Sequence, residues 1–297
     1  MGSTAVSGLN WPLALRLGRV SNLPTVWTNV LAGAALSGAA FGPARVLALM
    51  AAMSLFYVAG MYLNDAFDAA HDRKHRPGRP IPSGAVSAPT VFAIGGAMIA
   101  AGLGLLLALG VARGGPGLQG VAGGLALTAA ILVYDAWHKG NPIGPLLMGI
   151  CRVLVYVTTA AALAGFAGRD LLLAAAMALS YLIGLTYAAK QEDLSQPGSL
   201  WPLLFLAAPF LYGLPIAVGS VAGFIVFAAL LATVVAAVSL MLKTGRPNFS
   251  RVVSMLIAGV SLLDALFIVG AGQPALAMLA ALGFPLTLFL QRSIPGA

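Results

Sequence analysis

Asn64, Asp65, Asp68 and Asp72 stand close together in a chain that has only 8 acidic residues among 297. Asn64, Asp68 and Asp72 recur at every fourth position, so on a helix they stack on one face with Asp65 beside Asp68. Carboxylates packed this closely repel one another unless a cation bridges them. A hard divalent ion such as Mg²⁺ takes oxygen ligands completed by water and substrate phosphate. Arg73, Lys74, Arg76 and Arg79 follow directly and suit phosphate oxygens. The plainer alternative is a solvated helix end whose mixed charges mark a membrane boundary. Composition tells against it, because 7 of the 24 charged residues (16 basic plus 8 acidic) fall in the fifteen positions from Asp65 to Arg79.

The elements that must position these residues are apolar. Hydrophobic residues make up 60% of the chain and its mean hydropathy is +0.96, whereas the apolar share of soluble domains is about half. The sequence therefore predicts a polytopic membrane protein, an all-α bundle in a single domain. Apolar windows of about 20 residues, the length that crosses a bilayer, run over 20–40, 44–63, 90–112, 117–136, 143–166, 171–189, 200–219, 221–242 and 252–270. These predict nine spans around a central cavity. A tenth stretch, 275–290, is shorter and contains Pro285, so it reads as a last span or a re-entrant segment. The single cysteine, Cys151, excludes an intrachain disulfide. The first residues lack the charged n-region of a cleavable signal, so the first span is expected to direct insertion.

Orientation follows from the Lys and Arg distribution. With the N-terminus cytoplasmic, that face holds Arg16, Arg19, Arg73, Lys74, Arg76, Arg79, Lys139, Lys190, Lys243, Arg246, Arg251 and Arg292, and the opposite face holds Arg45, Arg113 and Arg169. Twelve against three is a positive-inside asymmetry, expected for a bacterial-type cytoplasmic membrane. The net charge of +8 then reflects topology and contact with anionic membrane lipids, and nothing points to nucleic acid. The loops after the second, fourth and sixth spans share this face and carry the polar material. The second holds the acidic wall, the fourth Tyr134, Asp135, His138 and Lys139, and the sixth Tyr187, Lys190, Gln191, Glu192 and Asp193.

Asn64-Asp65-x-x-Asp68-x-x-x-Asp72 at the end of a span resembles the first Asp-rich motif of the UbiA superfamily of intramembrane prenyltransferases. The likeness extends to nine spans, a second acidic motif after the sixth and Asn22 and Asn29 in the first. It implies that Asn64, Asp65, Asp68 and Asp72 hold Mg²⁺ against the diphosphate of an isoprenyl donor. The second motif departs from the family's usual aspartates at spacing four behind a tyrosine: after Tyr187 and Lys190 only Glu192 and Asp193 remain, adjacent in sequence. Adjacent helical residues point about 100° apart, so one of the pair is expected at the metal. Lys139 occupies the place of a basic residue that many family members use to bind diphosphate.

Arg152 lies roughly 15 Å into its span on a helical rise, where a charge normally faces a cavity or a partner. Its reading stays open between a contact with the diphosphate, a contact with a polar acceptor, and a structural pair with Asp264. Asp264 is itself mid-span. Asn22 and Asn29 share one face of the first span and are expected to line the pocket or to bond helices together. His71 and His75 flank the acidic wall without a ligand cluster and read as solvated.

The resemblance implies a reaction in which Mg²⁺ bridges Asn64, Asp68, Asp72 and the Glu192–Asp193 pair to an isoprenyl diphosphate. Arg73, Arg76, Arg79 and Lys139 add positive charge as the leaving group departs, while apolar walls keep water from the cation-like carbon. Arg152 is counted with the catalytic residues, and Asn22, Tyr187 and Lys190 with those binding the donor. The acceptor is a small aromatic or polar molecule. The run Gly149 to Arg152 and the weakened second motif look like an EboC-like bacterial branch whose acceptor is a cyclitol-like polyol. Rival readings are a UbiA-type terpene cyclase using the same donor and a membrane transporter, although transporters often show internal repeats that are not evident here. The Asp-Gly-x-x-Ala-Arg start of the CDP-alcohol phosphotransferase signature is absent.

Overall fold

A computed structural model describes residues 9–112, 115–191, 200–242 and 248–294. The described residues fold as thirteen α-helices, with no strand among them. They are α1 (Trp11–Leu17), α2 (Leu23–Leu36), α3 (Pro43–Phe67), α4 (Ala69–His75), α5 (Ala88–Val111), α6 (Gln119–Trp137) and α7 (Gly144–Ala164). After them come α8 (Arg169–Lys190), α9 (Ala208–Gly219), α10 (Val221–Met241), α11 (Phe249–Gly270), α12 (Pro274–Ala281) and α13 (Gly283–Leu290). Short 3₁₀ turns at Val20–Asn22 and Trp201–Leu206 lead into α2 and α9.

The helix starts follow local chemistry. Ser87 and Ser220 cap α5 and α10 through their side chains, and Asn10 and Asn248 do the same for α1 and α11. Prolines sit in the first turn of α3, α5 and α7, where a missing N–H is harmless. Gly165, at φ 82°, closes α7 in the left-handed conformation that glycine adopts without strain.

Among the described residues, eight helical segments are long and apolar enough to cross a membrane. Eight of the nine expected spans coincide with these segments, and the first does not. The first expected span forms only the 14-residue α2 behind its 3₁₀ turn, about 21 Å of rise. The tenth stretch is a short, broken pair, α12 and α13, because Pro285 cannot donate to the carbonyl one turn back.

Burial separates centre from rim. The apolar window of α11 is 78% buried and that of α5 only 22%, so α11 runs through the middle of the bundle while α5 turns most of its surface outward. α2 packs against α3, α7 and α11, and Val26, Val30 and Ala32 on it are buried. This close approach requires Gly33, where an added Cβ would lie 3.0 Å from both Thr159 Cβ and the Tyr156 carbonyl oxygen. Gly33→Leu is therefore expected to lower thermal stability in detergent by about 1–3 kcal/mol through overpacking. Gly104→Leu, with no atom near its Cβ position, should leave the melting temperature unchanged or raised; equal effects at the two sites would refute the α2–α7 contact.

Candidate active site

Asp68 closes α3 and opens α4 with φ −76° and ψ −7°, so the chain bends little there. The Asp68 N–H donates to the Asn64 carbonyl at 2.9 Å and the Asp72 N–H to the Asp68 carbonyl at 2.8 Å. The fourfold spacing thus survives the joint, and Asn64, Asp68 and Asp72 form one buried face.

These acids already have cationic partners. Lys139 Nζ is 3.0 Å from Asp68 Oδ2 and 3.7 Å from Asp72 Oδ1. Arg79 Nη1 bridges Asp72 Oδ2 at 3.0 Å and Asp65 Oδ1 at 3.3 Å. Arg19 approaches Asp65 at 3.9 Å, and His138 Nε2 lies 3.5 Å from Asp68 Oδ2. Burial acts to raise the Asp68 carboxyl, but hydrogen bonds from His138 and Lys139 outweigh it and hold the group below the usual carboxylate range. Asn64 turns its amide to Asp135 Oδ1 at 3.1 Å. Among the described residues, no three acidic, histidine or cysteine side chains gather as a metal-ligand group. Glu192 and Asp193, the expected second motif, lie outside the described residues.

Beside this wall opens a cavity of about 240 Å³. Met53, Phe56, Leu127, Ile131 and Val155 give it an apolar lining, and its polar lining includes Arg19, Asn22, Tyr57, Asp135 and Arg152. Asp135 joins the two regions, since it lines the cavity and accepts from Asn64. Its Oδ2 is buried without a hydrogen-bond partner among the described residues.

Deeper in the bundle, α2, α7 and α11 meet at Asp264, which is fully buried. Its carboxylate accepts from Thr28 Oγ1 at 2.5 Å, from Asn29 Nδ2 at 2.7 Å and from the Tyr156 hydroxyl. Arg152 donates from Nη1 to Asn29 Oδ1 at 2.7 Å and from Nη2 to Thr25 Oγ1 at 3.0 Å. Neither simple reading of Arg152 is complete: it faces the cavity, yet it is tied to Asp264 through Asn29 and has no direct ion pair with it among the described residues.

The other expected residues divide. Asn22 is buried at the cavity wall, donating to the Tyr57 hydroxyl at 3.3 Å and accepting from Gln291 at 2.9 Å. Arg79 and Lys139 join the wall, whereas Arg73 and Arg76 are exposed. Lys190 donates to the Asn141 carbonyl at 3.1 Å, which directs it to the loop between α6 and α7 instead of to the acids. Tyr187 is half-buried, and its neighbours Thr186 and Ala189, not Tyr187 itself, line the cavity. His71 and His75 stack on each other in solvent at 4.2 Å. Sequence reasoning passed over Asp135 as a loop residue, although a carboxylate in the last turn of an apolar helix was a usable signal. Thr25, Thr28 and Tyr156 gave none, because hydroxyls are unremarkable in membrane helices.

No protein-family profile matches the chain. Sequence similarity is found to digeranylgeranylglyceryl phosphate synthases of three organisms. That of Ignicoccus hospitalis is 39% identical over 122 residues, 40% of this chain and 36% of that protein. That of Methanopyrus kandleri is 31% identical over 135 residues, 43% and 45% of the two chains. That of Methanoregula boonei is 62% identical over 42 residues, 14% and 15%. The matched stretches span less than half the length of these curated relatives. Two solved structures share the fold. One, from work on digeranylgeranylglyceryl phosphate synthase in membranes, superposes with a TM-score of 0.59 at 20% identity and covers 87% of this chain and 97% of its own. The other, a UbiA homolog from Aeropyrum pernix without ligand, gives 0.58 at 18% identity and covers 89% and 96%.

The protein is thus an all-helical integral membrane protein with the fold of the UbiA homologs.

The Asp264 hub makes a stability prediction. Asp264→Ala removes the acceptor shared by Asn29 and Tyr156 in the core, while Thr28 keeps its 3.1 Å bond to the Thr25 carbonyl, and is expected to remove about 3 kcal/mol or more. Arg152→Met strands only acceptor lone pairs on Asn29 and Thr25 and should cost about 1 kcal/mol. Thermal unfolding in detergent ranks the two; the reverse order would show that Arg152, not Asp264, anchors the network.

Proposed function

We propose that this protein transfers an isoprenyl group from an isoprenyl diphosphate to a hydroxyl of a glycerophosphate-type acceptor. The observation that carries this reading is the junction of a buried acid–base wall with an apolar cavity, made at Asp135. The wall offers charge for a diphosphate, and the cavity offers a dry place for its hydrocarbon. The relatives, which are digeranylgeranylglyceryl phosphate synthases, favour a glyceryl phosphate acceptor over the aromatic or cyclitol-like one, and no relative found supports the EboC-like branch.

The donor set fits Mg²⁺ in kind. Asn64, Asp68 and Asp72 present only oxygen ligands or an amide from one face, and Asp135 adds a carboxylate oxygen with no other partner. Asn64, Asp65, Asp68 and Asp72, with Glu192 or Asp193, would hold the ion. When bound it supplies charge neutralisation at the diphosphate.

The chain's own residues do the rest. Lys139 and Arg79, already at the wall, are placed to take phosphate oxygens and to stabilise the charge that develops as the C1–O bond breaks. The diphosphate leaves with the electron pair of that bond. An acceptor hydroxyl forms the new C–O bond, and its proton passes to the departing diphosphate or to solvent. Met53, Phe56 and Ile131 exclude the water that would otherwise capture the reacting carbon. The twelve-to-three Lys and Arg asymmetry supports a cytoplasmic-facing wall.

The reading is tested with purified protein, Mg²⁺ and isoprenyl diphosphates of several lengths, with and without a monoalkylglyceryl phosphate, following diphosphate release and ether product. Asp68→Ala and Asp72→Ala should each lower turnover at least about 100-fold with the melting temperature retained, and chelation of Mg²⁺ should do the same to the wild type. Near-normal turnover in either variant sinks the assignment. Diphosphate release with hydrocarbon and no ether would favour cyclisation, and no release at all would favour transport.

A further inference from the structure

We propose that the Arg152 guanidinium binds a phosphate carried by the acceptor, at a station separate from that of the donor diphosphate. This rests on the prenyl-transfer reading above and extends it to acceptor recognition.

Arg152 has five N–H donors, and the two hydrogen bonds that hold it, to Asn29 Oδ1 and Thr25 Oγ1, both end on uncharged groups. Neither partner can turn away. Asn29 is fixed because its amide donates to Asp264 and, at 2.9 Å, to the Tyr156 hydroxyl. Thr25 is fixed because its hydroxyl donates to the Asn22 carbonyl at 2.7 Å, which leaves its lone pairs toward Arg152. The Tyr57 ring covers one face of the guanidinium, 5.6 Å from ring centroid to Cζ. Asp264, the nearest acid in the network, is already shared among Thr28, Asn29 and Tyr156. The result is a rigid cation with spare donors at the wall of an apolar cavity, and no carboxylate lies in ion-pair contact with it among the described residues. A half-buried charge of that kind gains when an anion meets it. The planar fork suits two oxygens of one phosphate.

The donor diphosphate does not explain this cation. Arg152 stands at the level of Tyr57, and from Tyr57 to Asp68 the helix rises about 16 Å, farther than one diphosphate spans. An acceptor lying between the two stations would put its phosphate at Arg152 and its hydroxyl toward the carbon released at the wall. Asp264 and Asn29 then act as positioning residues for Arg152.

The test compares kcat/KM for a monoalkylglyceryl phosphate with that for the same monoalkylglycerol lacking phosphate, using one isoprenyl diphosphate and Mg²⁺. Wild type, Arg152→Met and Arg152→Lys are measured. Because the preference is a ratio within each variant, it does not depend on how much of the protein is folded. Wild type should favour the phosphate-bearing acceptor by about 100-fold. Arg152→Met should cut that preference at least tenfold, through a raised KM for the phosphate-bearing acceptor, and Arg152→Lys should fall between. An unchanged preference in Arg152→Met overturns the proposal, as does equal use of both acceptors by wild type. A matching rise in the donor KM would assign Arg152 to the diphosphate and overturns it as well. If wild type transfers to neither acceptor, it is the prenyl-transfer reading that fails.

Discussion

A carboxylate at the centre of a membrane bundle must receive all its hydrogen bonds from protein, because no water is there to supply them. Asp264 sets that condition here. Its three donors come from two different helices, Thr28 and Asn29 from α2 and Tyr156 from α7, while the acid itself is on α11. Satisfying one side chain therefore fixes the rotation and height of three helices relative to one another. The small residues around it allow the approach: a Cβ on Gly283 would sit 2.7 Å from Ser261 Oγ and 2.9 Å from Thr28 Cγ2. Helices that come this close through glycine gain dispersion contacts that lipid would otherwise supply, so the polar hub and the tight packing reinforce each other.

The protein treats its acids differently according to depth. Near the membrane surface Asp65, Asp68 and Asp72 are met by full charges from Arg19, Arg79 and Lys139 and by the His138 ring. In the interior Asp264 is met by hydroxyls and an amide. A direct ion pair in the core would require two ions to be stripped of water, whereas neutral donors require only one. Asn29 lets Asp264 and Arg152 act on each other without contact, since its amide nitrogen serves the acid and its oxygen serves the cation. Among the described residues, the arrangement leaves the cation at the cavity wall with hydrogen bonds only to Asn29 and Thr25.

Much of this was legible in the sequence, for reasons that differ by residue. Long apolar runs located the eight membrane-length helices because burial in lipid selects composition directly. The fourfold spacing of Asn64, Asp68 and Asp72 predicted one face, and the backbone ladder through Asp68 preserves it. The partners of those residues were not legible. Arg79 folds back across a loop to reach Asp65 and Asp72, and Lys139 arrives from the far end of α6, both consequences of packing that no local pattern encodes. Lys190 sits near the expected motif in sequence yet donates to the Asn141 carbonyl. The identity of the donors around Asp264 was hidden for the same reason, since Thr28 and Tyr156 are ordinary residues until α11 is laid beside them.

The helix α2 is shorter than the apolar window from which it was expected. A hydropathy window measures whether a segment can face lipid, and α2 barely does so: 11 of its 14 residues are buried. Its polar residues Thr25, Thr28 and Asn29 would be unfavourable against hydrocarbon. Enclosed by α3, α7 and α11, they can instead be satisfied by Asp264, Arg152 and Tyr156. An enclosed helix can therefore be shorter than those around it and carry Thr and Asn side chains, because its neighbours and not the bilayer are its solvent. That arrangement puts polar side chains of the chain beside the cavity, with the 3₁₀ turn supplying Asn22 and α2 supplying Val26 to its wall and Thr25 and Asn29 to Arg152, which faces it.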